Sequence, residues 1–250
     1  MRHHIFGGIL SFFLLFESAH AAESQLQPAD TYMLETITVT ATKREQTLRE
    51  IAGSVSTASD IDLENQGAET LQDATKIFPN VHMKSTSSGN EIVIRGMSTW
   101  DTALQSPAGL YVDGVPYPLS YMQNNYLHEI ESVEVMRGPQ GTLYGRNSES
   151  GVINLVRRTP DNWLRGSLFT ELGSHDTLRL GASAAGPLIE DKIYLSGSYL
   201  RHQTDGFVLN EYKQKDQAAR HKADSGRVVL RLTPTDALDV RMSLDATHSD

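Results

Sequence analysis

The sequence has 250 residues, a formal net charge of −9 and no cysteine. The acidic balance argues against a nucleic-acid partner, because phosphate binding needs a basic face, and the missing cysteines exclude disulfide scaffolds, thiolate zinc sites and cysteine nucleophiles. No stretch approaches the roughly 18 consecutive apolar residues of a transmembrane helix, but barrel strands of about 9–11 alternating residues remain open.

Residues 1–21 have the three parts of a secretory signal peptide. A basic start at Arg2–His4 is followed by the short apolar core Ile5–Phe16 and by small residues up to Ala21. We therefore expect an exported protein that is cleaved after residue 21. The polar residues 22–34 that follow predict a flexible linker.

A short β-branched run comes next, in which apolar and threonine side chains alternate. Its members are Glu35, Thr36, Ile37, Thr38, Val39, Thr40 and Ala41. This pattern favours an extended strand. On these residues alone, a simple edge strand is the plainer interpretation.

Short strands and short helices alternate through the following hundred or so residues. Capping residues and glycines predict where each helix begins and ends. The predicted elements are a strand at Gly53–Ala58, a helix from Ser59 or Asp60 to about Gln66, a helix at Leu71–Phe78 capped by Thr70, strands at Val81–Lys84 and Glu91–Arg95, and a hairpin at Gly109–Pro116 with an Asp113-Gly114 turn.

The stretch Ile130–Val156 reads as a strand, a glycine-rich turn and a second strand. Val133 and Val135 alternate with polar residues before the turn, and glycines this dense predict tight backbone turns. A phosphate-binding P-loop would need a lysine after Gly145, where this chain has Arg146. An ordinary turn cluster remains open on the residues alone.

From residue 161 onward the sequence pattern consists of long runs in which apolar and polar residues alternate. The runs lie at Leu164–Leu172, Leu178–Ala184, Ile193–Leu200, Arg227–Leu232 and Leu238–Asp245. Gly186–Lys192 and Pro234–Ala237 predict short turns, and Arg201–Ser225 predicts a long polar loop. Short turns on one side and long loops on the other are typical of outer-membrane barrels.

The string IESVEVMRGPQGTLYGRNSESGVINLV at Ile130–Val156 resembles the plug-domain signature of TonB-dependent outer-membrane receptors. LQDATKIFPNV and IVIRG are similar to further plug motifs. The resemblance implies an α+β plug, a small mixed sheet with short helices, over residues 42–160. It also implies that residues 161–250 are the first five or so antiparallel strands of a barrel that closes with about 22. We therefore expect a truncated chain that does not transport by itself.

The resemblance also implies three sets of site residues. ETITVTA at residues 35–41 resembles a TonB box, a free strand that adds to a sheet edge of periplasmic TonB. Arg95 and Arg137 are implied to be latches that pair with barrel carboxylates. Apical loops that sample ligand would contain Trp100, Tyr121 and Met122, although plain surface loops are the alternative.

The function implied is energised uptake of a scarce nutrient across the outer membrane, with an iron–siderophore complex as the commonest cargo of the family. Haem, cobalamin or an oligosaccharide is the alternative cargo. TonB, outer-membrane lipid and the ligand are the implied partners, and no cofactor or metal site is predicted. A hydrolase is the second class, but Gly181–Ala185 lacks the helix that a nucleophile elbow needs. A passive porin or adhesin, the third class, has no plug.

Overall fold

The computed structural model describes residues 38–40, 43, 46–51, 53–86, 89–99, 105–123, 126–206, 208 and 220–249. The predicted signal peptide and linker lie outside these residues. The strands are β1 (Thr38–Val39), β2 (Gln46–Thr47), β3 (Ser54–Ser59), β4 (Val81–Thr86), β5 (Gly89–Ile94), β6 (Ala108–Val112), β7 (Val115–Pro116), β8 (Ile130–Arg137), β9 (Gly151–Arg157), β10 (Arg165–Gly173), β11 (Thr177–Ile189), β12 (Ile193–Thr204), β13 (His221–Thr235) and β14 (Leu238–Ser249), and the helices are α1 (Asp60–Asn65), α2 (Leu71–Thr75) and α3 (Gly141–Tyr144).

Two five-stranded sheets organise the described residues. The mixed sheet, ordered β3-β8-β9-β6-β7, lies within the predicted plug, residues 42–160. Its β6 and β9 pair in parallel and its other neighbours are antiparallel. The second sheet, β10-β11-β12-β13-β14, is antiparallel throughout and is termed the wall.

The predicted strand–turn–strand at Ile130–Val156 is confirmed as β8 and β9, which pair with each other. The glycine turn between them also contains α3, which the sequence analysis did not predict. Gly151 must be glycine, because a Cβ there would lie 2.3 Å from the carbonyl oxygen of Met136 and the φ angle is +150°.

Both predicted helices of the plug are present with the predicted caps. Ser59 caps α1, and its backbone N–H donates to Asp62 at 2.9 Å in a capping box. Thr70 and Asp73 form the same motif on α2. This second helix ends at Thr75 rather than at the predicted Phe78, and the chain continues in tighter i→i−3 turns. Among the described residues, no helix is long and apolar enough to cross a membrane.

The core of the plug covers both faces of the mixed sheet. The larger cluster joins that sheet to α1, α2 and the β4–β5 hairpin. Its buried members include Leu63, Leu71, Ile92, Ile94, Leu110, Val133, Val135, Ile153 and Leu155. Alternate positions point to the opposite face, where Tyr111, Met136, Tyr144 and Val152 form a smaller cluster. The sheet is therefore sandwiched, and all five residues of β6 are buried.

The wall carries its apolar side chains on the outside. Leu168, Leu172 and Leu244 are 79%, 81% and 73% exposed. Polar residues one position away, such as Arg179 and Arg227, face the plug and contact it. The predicted alternation of apolar-out and polar-in residues is thus confirmed at these positions, whereas Leu200 of β12 is buried at 1% exposure.

The strands of the wall are longer than the sequence predicted. β12 extends to Thr204 and β13 begins at His221. The predicted bounds of the loop, Arg201–Ser225, are therefore wrong at both ends, because they include strand residues. Polar residues near these ends bond across the strands. The Tyr199 hydroxyl donates a hydrogen bond to Asp224 at 2.6 Å. Such cross-strand bonds allow polar residues to lie in strands where their polar composition had predicted a loop.

Candidate functional site

Part of the predicted TonB box is docked on the plug. Thr38, Val39 and Thr40 are described, whereas Glu35, Thr36, Ile37 and Ala41 lie outside the described residues. β1 pairs with β2 in an antiparallel hairpin. Val39 is 0% exposed. The expectation of a free segment is therefore wrong for Val39 and Thr40, because one is buried and the other is hydrogen-bonded to the mixed sheet.

The bond that holds Thr40 is made to a carboxylate inside the mixed sheet. The Thr40 backbone N–H donates to Glu134 Oε1 at 2.7 Å, and Asn154 Nδ2 donates to Glu134 Oε2 at 2.9 Å. Tyr144 lies on the same face of the sheet. The pKa of Tyr144 is raised mainly by burial and to a smaller extent by the nearby charge of Glu134. Sequence reasoning missed Glu134, although a glutamate at the centre of a buried strand was the available signal.

The two predicted latch arginines form no hydrogen bond or salt bridge with the wall among the described residues. Arg137 donates to Ser54 Oγ at 3.1 Å and to the Pro79 carbonyl at 3.0 Å, both inside the plug. Arg95 is exposed and has a φ angle of +55°. Their pairing with barrel carboxylates stays a prediction.

Other charged residues join the plug to the wall. Asp113 follows β6 and Arg157 ends β9, and these two pair at 2.9 Å. From the wall, Arg227 donates to Asp113 at 2.9 Å and Asp245 pairs with Arg157. The side chains of Asp113, Arg157 and Arg227 are only 10–15% exposed. Two positive and two negative groups thus form a neutral, partly desolvated cluster, the seam cluster.

A second contact between plug and wall is aromatic. Tyr126 lies beside His202 and His221, with ring centroids 5.3 and 6.1 Å away, and its hydroxyl is 3.3 Å from His202 Nδ1. Burial, with a smaller contribution from nearby Glu69, raises the pKa of Tyr126 to about 12. Burial also lowers the pKa of His128. The phenol of Tyr126 and the imidazole of His128 are therefore mostly uncharged near pH 7.

Two of the three predicted ligand contacts line a cavity between plug and wall. Its volume is about 490 Å³, and Tyr121 and Met122 contribute to its lining. Tyr117 and Tyr126, which the sequence analysis did not single out, line it as well. The third predicted contact, Trp100, lies outside the described residues.

The described part of the chain bears on metal binding and on the hydrolase alternative. It holds no group of three or more histidine, aspartate or glutamate residues arranged to bind a metal ion. Ser183, the serine of the hydrolase alternative, lies within β11 and its hydroxyl is hydrogen-bonded to Ser167 at 2.8 Å. A nucleophile elbow needs a sharp strand-to-helix turn at that position.

Comparison with known proteins agrees with this architecture. The sequence profile of the TonB-dependent receptor plug domain matches residues 47–152. The pesticin receptor of Yersinia enterocolitica is 32% identical over 219 residues, which are 86% of this chain and 32% of that protein. The ferric enterobactin receptor PirA of Pseudomonas aeruginosa is 29% identical over 262 residues, 90% of this chain and 33% of that protein.

A solved structure gives the same result in three dimensions. The ferric yersiniabactin uptake receptor FyuA from Yersinia pestis matches with a TM-score of 0.72 and 30% identity, over 79% of this chain and 32% of that chain. The present chain spans about a third of the length of these relatives. By its plug and by the wall strands packed on that plug, the chain belongs to the TonB-dependent outer-membrane receptors.

Proposed function

We propose that the whole protein imports a ferric siderophore across the outer membrane with energy delivered by TonB. Similar proteins named as receptors for ferric yersiniabactin and ferric enterobactin support this cargo. The observation that carries the proposal is architectural. A strand with the box sequence docks on a plug, and that plug packs against the polar inner side of a wall whose outer side is apolar.

The proposed location follows from the same outer side. Exposed leucines on the wall, such as Leu168 and Leu172, suit contact with lipid acyl chains, because burying apolar surface in hydrocarbon is favourable. Residues 1–21 would act as the cleaved export signal, followed by a flexible linker at residues 22–34. The box strand would then be presented in the periplasm, where TonB can pair with it.

The ligand would be sampled at the cavity beside Tyr121 and Met122. Three tyrosines line this cavity, and phenol rings offer both stacking surface and a hydroxyl. Such a lining suits a chelate that carries aromatic and acidic groups. Trp100 is proposed as a further contact, and Arg95 and Arg137 as latches toward barrel carboxylates.

Replacing Val39 tests the function. Val39→Pro removes a main-chain donor that strand addition needs, whereas Val39→Ala keeps it. In cells we expect Val39→Pro to abolish uptake of a radiolabelled ferric siderophore and to leave its binding intact, and Val39→Ala to retain uptake. Uptake should also stop when the inner membrane is de-energised.

A panel of cargoes decides among the alternatives. A deletion strain that carries the native protein should regain growth on one class of ferric siderophore. Growth on haem, cobalamin or an oligosaccharide instead would identify a different cargo and would leave the proposal of TonB-dependent uptake unchanged. Full uptake by Val39→Pro, or uptake without an energised membrane, would overturn TonB dependence.

A further inference from the structure

Glu134 is a buried carboxylate in the centre of the mixed sheet. It lies on β8 opposite Thr57 of β3 on one side and Asn154 of β9 on the other. Its residue exposure is 1%. Its neighbours Val133 and Val135 point into the larger core cluster, so Glu134 points to the opposite face, where it accepts a hydrogen bond from Thr40. Residues 38–40, the described part of the predicted TonB box, are termed the box segment.

The donors to this carboxylate come from two places only among the described residues. Asn154 supplies one side-chain N–H, at 2.9 Å. Thr40 supplies its backbone N–H at 2.7 Å, and its hydroxyl lies 3.3 Å from both carboxylate oxygens. No salt bridge reaches Glu134 in the described part of the chain. A buried carboxylate needs such donors, because burial without them is costly.

We propose that Glu134 is the clamp that holds the box segment on the plug and limits its exposure to a periplasmic partner. This rests on the proposed function of residues 35–41 as a partner-binding strand. A strand that adds to another sheet must free its own backbone edge. In the docked hairpin that edge is paired with β2, and the Val39 side chain is buried.

The contacts of Glu134 favour return of the box segment after it has been released. When the box segment leaves, Glu134 keeps the bond from Asn154 but loses the donors of Thr40. The carboxylate is then under-satisfied in a buried place, which favours return of the strand. The hairpin turn supports this return, since the Lys43 backbone N–H donates to the Thr40 carbonyl at 2.8 Å. Lys43 Nζ also lies 5.1 Å from the ring centroid of Tyr144.

The experiment uses a reporter thiol at Val39. The chain contains no cysteine, so Val39→Cys in the whole protein is a single thiol that a maleimide reaches only when the strand is released. We compare this reporter alone, with Glu134→Gln, and with the matched control Glu91→Gln. Glu91 is also a buried plug carboxylate, at 3% exposure, but it bonds Thr99 instead of the box segment.

We expect Glu134→Gln to raise the labelling rate by roughly tenfold or more, since it removes a charged acceptor and presents an amide to Asn154. Glu91→Gln should leave the rate unchanged. Equal rates in all three proteins would overturn the clamp. So would an equal rise with Glu91→Gln, which would indicate general loosening of the plug.

A second reporter covers the case in which Glu134→Gln disturbs the fold. Val135→Cys, also 0% exposed, should remain unlabelled in the Glu134→Gln protein. Labelling at Val135 as fast as at Val39 would show that Glu134 supports the whole sheet, and it would overturn the clamp. The assay contains no TonB, so it fails or succeeds independently of the uptake test. Binding of the periplasmic domain of TonB to Glu134→Gln then reports on the function alone.

Discussion

The plug and the wall use hydrophobic residues in opposite directions. In the mixed sheet both faces are covered, so Val133, Val135 and Ile153 are completely buried. In the wall Leu168, Leu172 and Leu244 point outward, whereas Arg179 and Arg227 point toward the plug. The same period of two along a strand therefore occurs in a sheet that is covered on both faces in one region and in a sheet with an exposed apolar face in the other.

Alternation alone leaves open which face of a sheet is exposed in this chain. Alternation places two sets of residues on two faces, but it does not say which face meets the solvent. That choice depends on what covers the sheet. In the plug, helices and a hairpin cover one face and the box segment lies on the other. In the wall, the plug packs on the polar face, and the leucines of the apolar face are exposed.

The largest expected effect is in the plug core. Ile153→Ala deletes a fully buried side chain and should lower the free energy of unfolding by about 2–5 kcal/mol. Leu244→Ala, at a residue that is 73% exposed on the wall, should have a much smaller effect on the plug. Thermal unfolding of both variants checks this contrast, and equal losses would erase the distinction between the two regions.

An arginine introduced on either face of the wall should distinguish the two faces by its effect on assembly. Leu168→Arg places a cation on the apolar face and should cost about 2–4 kcal/mol near the membrane centre. Ser167→Arg changes the adjacent residue, which faces the plug side, and should be tolerated better. The yield of folded protein in outer membranes measures both. Equal assembly of the two variants would contradict a lipid-facing outer side.

The seam cluster joins the plug to the wall, and substitutions in it should lower the free energy of unfolding by an intermediate amount. Asp113→Asn leaves Arg157 and Arg227 close together with Asp245 as their remaining carboxylate, and should cost about 1–3 kcal/mol. Asp60→Asn, at a more exposed pair with Arg158, should cost no more than about 1 kcal/mol. Urea unfolding measures the two losses, and a larger loss for Asp60→Asn would mean that the seam cluster does not hold plug and wall together.

The smallest expected effect is a pH dependence at His128. Burial lowers its pKa in the folded protein below the ordinary 6.5, so the unfolded chain takes up a proton first as the pH falls. Stability should therefore decrease below about pH 6.5 and level off once the pH is below the folded pKa. His128→Gln should reduce this slope in melting curves between pH 5 and 8. If the stability of the His128→Gln variant depended on pH as steeply as that of the native protein, His128 would not be the cause of the pH dependence.

Much of the fold could be predicted from sequence because its signals are local. Ser59 and Thr70 cap their helices as predicted, and Asp113-Gly114 forms the predicted turn. Alternation predicts that the leucines of the wall share one face, and the pattern of short turns and long loops, with the resemblance, predicts that this face is the outer one. Strand ends were predicted less well, because His221 and Asp224 are polar residues whose partners come from neighbouring strands.

The site was predictable only in part, since its contacts join distant residues. Glu134 and Thr40 are 94 positions apart, and Asp113 and Arg227 are 114 apart. A sequence shows that each residue is polar but not which one it meets. The sequence analysis singled out residues 35–41 as a TonB box, which stays a prediction, and it also singled out Tyr121 and Met122, which line the cavity. It missed the docking of the box segment and the seam cluster.

The most direct test of the architecture is a crosslink between plug and wall. The chain has no native cysteine, so Asp113→Cys can be combined with Arg227→Cys or with Val228→Cys without background. An arginine side chain spans more than a disulfide can bridge, and a short bifunctional thiol reagent is therefore used. Arg227 faces the plug, while Val228 is 49% exposed on the outer side. We predict a crosslink for the 113–227 pair and none for the 113–228 pair. A crosslink for 113–228 alone would contradict a plug packed on the polar face of the wall.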